Sequence, residues 1–129
     1  EYGQQKLEAE QLVARIHPGA AIVRTSLLYG PPDGPQEALA RRDDVEFHRD
    51  EIRSPIRVRD LATALLELAG RDFAGILHIA GAEALSRTDF AERLRGGPVR
   101  SRRTPPGRPR NVALDSSRAR RLLHFRHHF

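Results

Sequence analysis

The sequence has no cysteine, no methionine and no tryptophan. Without cysteine there is no disulfide framework and no thiolate metal site. No apolar run approaches the roughly 18 residues that span a bilayer, and no signal-peptide pattern is present, so a cytoplasmic protein is expected. Apolar residues are also scarce, at 39% with a mean hydropathy of −0.55, so a self-sufficient core is possible but thin. The absence of methionine extends to position 1. Together with a length of 129 residues, this leads to the expectation of one small domain or a piece of a longer protein. Acids are nearly missing from residues 93–129, which hold eleven arginines against the single acid Asp115. Residues 1–92 carry the opposite balance, with eleven basic residues against sixteen acids.

The residues that are present alternate between helical and extended patterns. Ala9, Leu12, Val13 and Ile16 recur at helical spacing and predict one apolar face on a helix over 1–16. His17-Pro18-Gly19 ends it. Residues 20–25 are small and β-branched and predict a buried parallel strand, with a turn after it at Tyr29-Gly30-Pro31-Pro32. A helical turn is expected over 36–42, short extended pieces at 45–48 and 55–58, and a charged loop at 50–54. Asp60 is expected to cap a buried helix over 61–69 that ends at Gly70. Residues 75–80 form the second clear strand, closed by Gly81. Ser86 with Asp89 three residues on resembles a capping box and opens a helix to about Leu94. Residues 96–110 read as a loop and 111–114 as briefly extended, and Ser116 is expected to cap a last helix through Leu123. Strands alternating with helices place the chain in the α/β class with parallel strands.

Tyr2 and Lys6 stand four apart, a spacing that on a helix puts both side chains on one face, about 5–6 Å apart at Cβ. An ammonium beside a phenol favours the phenolate and makes a proton donor that works near neutral pH. Lys6 is the only lysine among 22 basic residues. Its compact, rotatable charge suits a sugar hydroxyl and a phenol together. An isolated Tyr-x-x-x-Lys also arises by chance at a solvated helix start, so its weight depends on the rest of the chain.

The rest of the chain carries a set of blocks in a specific order. The set begins with Tyr2-Gly3-x-x-Lys6, then Ile22-Val23-Arg24-Thr25-Ser26-Leu27-Leu28-Tyr29-Gly30-Pro31, then Asp50-x-x-Arg53-x-Pro55-Ile56-x-Val58-x-Asp60-Leu61-Ala62. Gly75-Ile76-Leu77-His78-Ile79-Ala80-Gly81, Ser86-Arg87 and Arg108-Pro109-x-Asn111-Val112-x-Leu114-Asp115-Ser116-Ser117 complete it. In this order the blocks resemble the C-terminal half of an extended short-chain dehydrogenase/reductase. Within that superfamily the chain is most similar to the dTDP-4-dehydrorhamnose reductase group and its sugar-nucleotide-binding relatives.

The resemblance implies an α/β chain that forms the C-terminal part of an NAD(P)-binding Rossmann-like fold with a small substrate-binding lobe. Residues 1–129 would be a single partial domain, with 1–30 closing the Rossmann core and 31–129 mainly binding substrate. The implied activity is NADPH-dependent reduction of a 4-keto sugar nucleotide. Tyr2 would be the proton donor, and Lys6 would hold the nicotinamide ribose and tune Tyr2. Thr25, Ser26 and Leu27 would lie beside the nicotinamide, at the strand end where open α/β sheets place ligands. Leu27 would also face the substrate, where the rhamnose enzymes carry tryptophan. Arg53 and Arg108 would meet the substrate's diphosphate, since guanidinium forks suit phosphate oxygens. The family's glycine-rich cofactor turn and the Ser or Thr of its triad lie upstream of the Tyr-x-x-x-Lys helix and are not in this sequence. NADP(H) or NAD(H) would therefore need a missing N-terminal half or a second chain, and these residues alone are expected to be inactive. Segments 31–49 and 95–107 look shorter than the family's.

Other readings stand beside this one. A regulatory module that binds a sugar nucleotide without turnover, or a gene relic, would keep the fold and drop the chemistry. The arginine-rich third could bind a polyanion, although it has two aromatics, Phe125 and Phe129, and no recognised nucleic-acid reader motif. Arg24 is expected to pair with a carboxylate, and His78 to be a hydrogen-bonded core histidine. His124, His127 and His128 lack partnering ligands, so no metal site is expected.

Overall fold

The computed structural model describes residues 2–129. The elements run α1 (Tyr2–Ile16), β1 (Ala21–Arg24), β2 (Leu28–Tyr29), α2 (Pro35–Ala40), β3 (Glu46–His48), β4 (Ile52–Arg53) and β5 (Ile56–Arg57). The chain continues through α3 (Val58–Ala69), β6 (Gly75–His78), β7 (Leu85–Ser86), α4 (Arg87–Arg95), β8 (Arg100–Arg102) and α5 (Ser117–Leu122). Three strand pairs are parallel, β1 with β6, β2 with β5 and β3 with β8. The pair β4–β7 is antiparallel. Parallel pairing needs a crossover, and between β1 and β6 it is made through α3, which explains the α/β pattern of the sequence.

The largest core cluster lies where α3 and α5 meet β6. Leu61, Ala64 and Leu68 of α3 pack with Leu77, Ile79, Ile56, Ala119, Leu123 and Phe125. A second cluster joins Tyr29, Leu85 and Phe90, and a third joins Ala40, Phe47 and Ala91 under α4. Among the described residues no helix is long and apolar enough to cross a membrane.

Several sequence expectations need correction. Asp60 is not a cap: Arg57 occupies the N-cap of α3, and Asp60 lies inside its first turn. There its carboxylate accepts the His128 backbone N–H at 2.7 Å, where a negative charge also suits the helix dipole. The helix α3 is buried on one face only, and Leu66 on the other is 78% exposed. Ser116 stands at the N-cap of α5 without a capping bond. Its hydroxyl instead accepts the Ala80 N–H at 2.8 Å. Tyr29 belongs to β2, and the two supposed loops contain β4 and β8, because segments too short to show periodicity still pair across the chain. The strand β1 is half-buried, not buried, since β6 is its one partner strand among the described residues. His78 is half-buried beside Arg24 in the register, not in the core.

The capping reading of Ser86 agrees with the structure. Its Oγ accepts the Asp89 N–H at 2.9 Å, and α4 ends at Gly96 with φ 78, the left-handed conformation that glycine adopts at least cost. Helix α1 forms over Tyr2–Ile16, the expected span apart from Glu1, which lies outside the described residues, but it has no buried residue. Its apolar face stands open, with Leu7 42%, Leu12 49% and Ile16 74% exposed.

Candidate functional site

A cleft of about 680 Å³ opens between α1 and the C-terminal end of β1. Tyr2, Lys6 and Glu10 line it from α1, and Arg24, Thr25, Ser26 and Leu27 line it from the strand end. Arg53, Val112 and Leu114 close the far wall. The structure thus brings Tyr2, Lys6, Thr25, Ser26, Leu27 and Arg53 to one cleft. Arg108 is outside its lining.

Tyr2 is 72% exposed. The Lys6 ammonium sits 5.4 Å from the centre of the Tyr2 ring, as the four-residue spacing on α1 requires. Because α1 buries none of its residues, its position depends on polar contact. Arg24 donates through Nε and Nη2 to both Glu10 oxygens, at 2.8 and 2.7 Å. This fork is the pairing expected for Arg24, and it ties α1 to the strand beside the cleft. The Arg24 guanidinium holds the Glu10 carboxyl below the usual range.

The other wall is stitched by Ser54, which sequence reasoning passed over. It is 1% exposed, its N–H donates to Ser26 Oγ at 3.1 Å, and its Oγ accepts the Leu114 N–H at 3.0 Å. Ser26 therefore accepts from the protein and keeps its own hydroxyl hydrogen to donate. Leu27 packs against the Tyr29, Leu85 and Phe90 cluster.

Behind Arg53 lies a fully buried carboxylate, Glu51, within a segment that reads in sequence only as a charged loop. Arg108 donates from Nε to Glu51 Oε1 at 2.5 Å, and the His48 Nδ1 lies 2.8 Å from the same oxygen. Arg53 approaches Oε2 at 3.6 Å. Burial pushes the Glu51 carboxyl up, but Arg108 and His48 outweigh it and bring it down to about 2. Arg53 spends Nη1 on the carbonyls of Ile52 (2.9 Å) and Arg110 (3.2 Å), and Nη2 on that of Pro109 (3.3 Å).

The histidines at the C-terminal end make structural contacts. His128 Nδ1 is 2.8 Å from Asp60 Oδ1, and His127 Nε2 is 2.7 Å from the Ala80 carbonyl oxygen. The phenol of Tyr29 donates to the His128 carbonyl at 3.2 Å, and burial pushes that phenol up to about 12. Among the described residues no group of three or more metal-ligating side chains converges.

Comparison with known proteins places these features in a family context. The family model described as RmlD substrate binding domain matches residues 1–128. The chain is 33% identical over 104 residues to the probable low-salt glycan biosynthesis reductase Agl14 of Haloferax volcanii, covering 73% of this chain and 35% of that protein. It is 30% identical over 145 residues to the methionine adenosyltransferase 2 subunit beta of Bos taurus, covering 94% and 43% respectively. The crystal structure of a hypothetical dTDP-4-dehydrorhamnose reductase from Sulfolobus tokodaii superposes with a TM-score of 0.79 at 31% identity, over 96% of this chain and 48% of that one. A Bacillus anthracis dTDP-4-dehydrorhamnose reductase solved with NADP gives 0.80 at 24% identity, over 98% and 50%, a likeness of fold. The chain therefore spans about a third to two-fifths of these curated relatives and about half of the solved ones.

Proposed function

The chain belongs to the RmlD substrate binding domain family, and on that premise we propose that it is the substrate-side portion of an NAD(P)H-dependent reductase of a 4-keto sugar nucleotide. The observation that carries this reading is the single cleft that gathers Tyr2, Lys6, Thr25, Ser26, Leu27 and Arg53. A bound nicotinamide would supply hydride to the sugar carbonyl carbon. Tyr2 would give its phenolic proton to the carbonyl oxygen as that oxygen gains charge, which is general acid catalysis. Lys6, one turn along α1, would hold a ribose hydroxyl and stabilise the resulting phenolate. Ser26 would donate its free hydroxyl hydrogen to ligand at the strand end, and Leu27 would supply the apolar wall. Arg53 and Arg108 would answer the diphosphate.

The residues fit the nicotinamide-ribose end of the cofactor and not its pyrophosphate. Among the described residues the glycines with positive φ, Gly30 after β2, Gly75 at the start of β6, Gly96 at the end of α4 and Gly107 after β8, are spread over four separate places in the chain and not grouped in one glycine-rich turn. The pyrophosphate would be held outside this sequence, on the same polypeptide or on a partner chain, in a monomer or a homo-oligomer. On this reading residues 1–30 complete the cofactor-binding core and 31–129 form the substrate lobe.

A second reading is a binding module without turnover. It is favoured by the 30% identity, over 94% of this chain, to a protein named as a subunit of a transferase. Supplying the native polypeptide with NADPH deuterated at the transferring position and dTDP-4-dehydrorhamnose separates the two. Deuterium at C4 of the reduced sugar supports the reductase. Tight sugar-nucleotide binding with no deuterium transfer supports the module.

A further inference from the structure

The most heavily engaged buried charge among the described residues, Glu51, lies outside the groups assigned to the reaction. Its side chain is 0% exposed, and two residues near it in sequence and one distant residue converge on it. His48 comes from β3, Arg53 from β4 and Arg108 from the irregular segment before residue 111. Arg87, at the start of α4, is close enough to feel the same charge, and burial pushes its guanidinium down. Its Nε is buried with no hydrogen-bond partner among the described residues.

The charge count is uneven. One carboxylate faces the guanidiniums of Arg53 and Arg108, and a third, that of Arg87, lies close by. Buried charge of one sign is costly unless it is paired. Arg53, 13% exposed, is the member of this cluster that reaches the cleft wall. Three backbone carbonyls and Glu51 hold its planar head, so little ordering remains to be done when an anion arrives.

We infer that Glu51 is a positioning residue, which holds Arg53 at the cleft wall, with Arg108 behind it, as a preorganised receptor for the diphosphate of the ligand. This rests on the sugar-nucleotide reading above and adds the residue that makes its phosphate end rigid. Glu51 itself touches no ligand and acts through the guanidiniums.

The test is a double-mutant cycle on the native polypeptide, with inorganic pyrophosphate as the probe and calorimetry as the readout. Glu51→Gln raises the Kd about tenfold, within the range of coupling between neighbouring charged groups, because Arg53 loses the ion pair that faces it at 3.6 Å. In an Arg53→Ala background the same change adds nothing. A merely structural Glu51 gives the opposite pattern, with Kd unchanged or with losses that add, and either result overturns the inference. If Glu51→Gln does not fold, Glu51→Asp keeps the charge and withdraws it by one methylene, and the cycle is read with that variant. Absence of pyrophosphate binding by the wild type also overturns the inference. The reductase reading then survives if deuterium is still transferred to the sugar, and falls with it if not.

Discussion

Replacing Glu51 by glutamine removes the buried charge that His48, Arg53 and Arg108 approach. The carboxyl falls from an ordinary 4.5 to about 2 in the folded chain, which corresponds to about 3 kcal/mol of stability at neutral pH. Truncation energetics lead to a similar figure. Breaking a buried pair costs about 3–5 kcal/mol, and the low end applies here because Arg108 is 51% exposed and water compensates part of its loss. The pH dependence has a definite sign. Above 4.5 both folded and unfolded Glu51 are ionised and the stabilisation is complete. As the pH falls below 4.5 the unfolded chain takes up its proton first, and the stabilisation is gone near pH 2. Urea unfolding monitored by circular dichroism at several pH values reads both quantities. The wild type should exceed Glu51→Gln by about 3 kcal/mol at pH 7, and the two should converge as pH approaches 2. Glu10, Asp50 and Glu67, also held below their usual range, titrate in both proteins and cancel in the difference. Equal stability at pH 7, or a difference independent of pH, would refute the reasoning.

Gly81→Ala should be among the most damaging small changes, because the new Cβ would stand 1.7 Å from the Pro55 carbonyl oxygen and 2.7 Å from its carbon. Backbone must move, so a loss of about 3 kcal/mol or more is expected in the same unfolding assay. Arg24→Gln should cost only about 1 kcal/mol, since the pair is partly screened, but hydrogen exchange of α1 should accelerate because its fork to Glu10 is lost. Tyr29 should ionise near pH 12 by ultraviolet difference absorbance. Its unfolded phenol ionises near 10, so this group's stabilisation is present below pH 10 and is lost as pH rises toward 12.

Elements with enough length to show a period were readable from sequence. Helices α1, α3 and α4 and strands β1 and β6 follow from apolar spacing and from punctuation by Pro18, Gly70 and Gly96. The two-residue strands β2, β4 and β7 were not, because pairing over so short a span is decided by partners far along the chain. Polar side chains misled for a related reason. Asp60 and Ser116 have the chemistry of caps, but tertiary partners, His128 and Ala80, claim their oxygens. Tyr2 and Lys6 were visible as a pair because helical spacing alone fixes their relation. Arg53 and Arg108 were visible as residue types, whereas the carboxylate that joins them was hidden in a run of charges.

The central claim is that the cleft beside α1 carries out proton-coupled reduction with Tyr2 as the donor. The most direct measurement is the turnover of dTDP-4-dehydrorhamnose and NADPH by the native polypeptide and by its Tyr2→Phe variant, with circular dichroism confirming the fold of both. Loss of a general acid should lower kcat by about 100-fold to 10,000-fold while the fold is unchanged. Undiminished turnover in Tyr2→Phe would contradict the account.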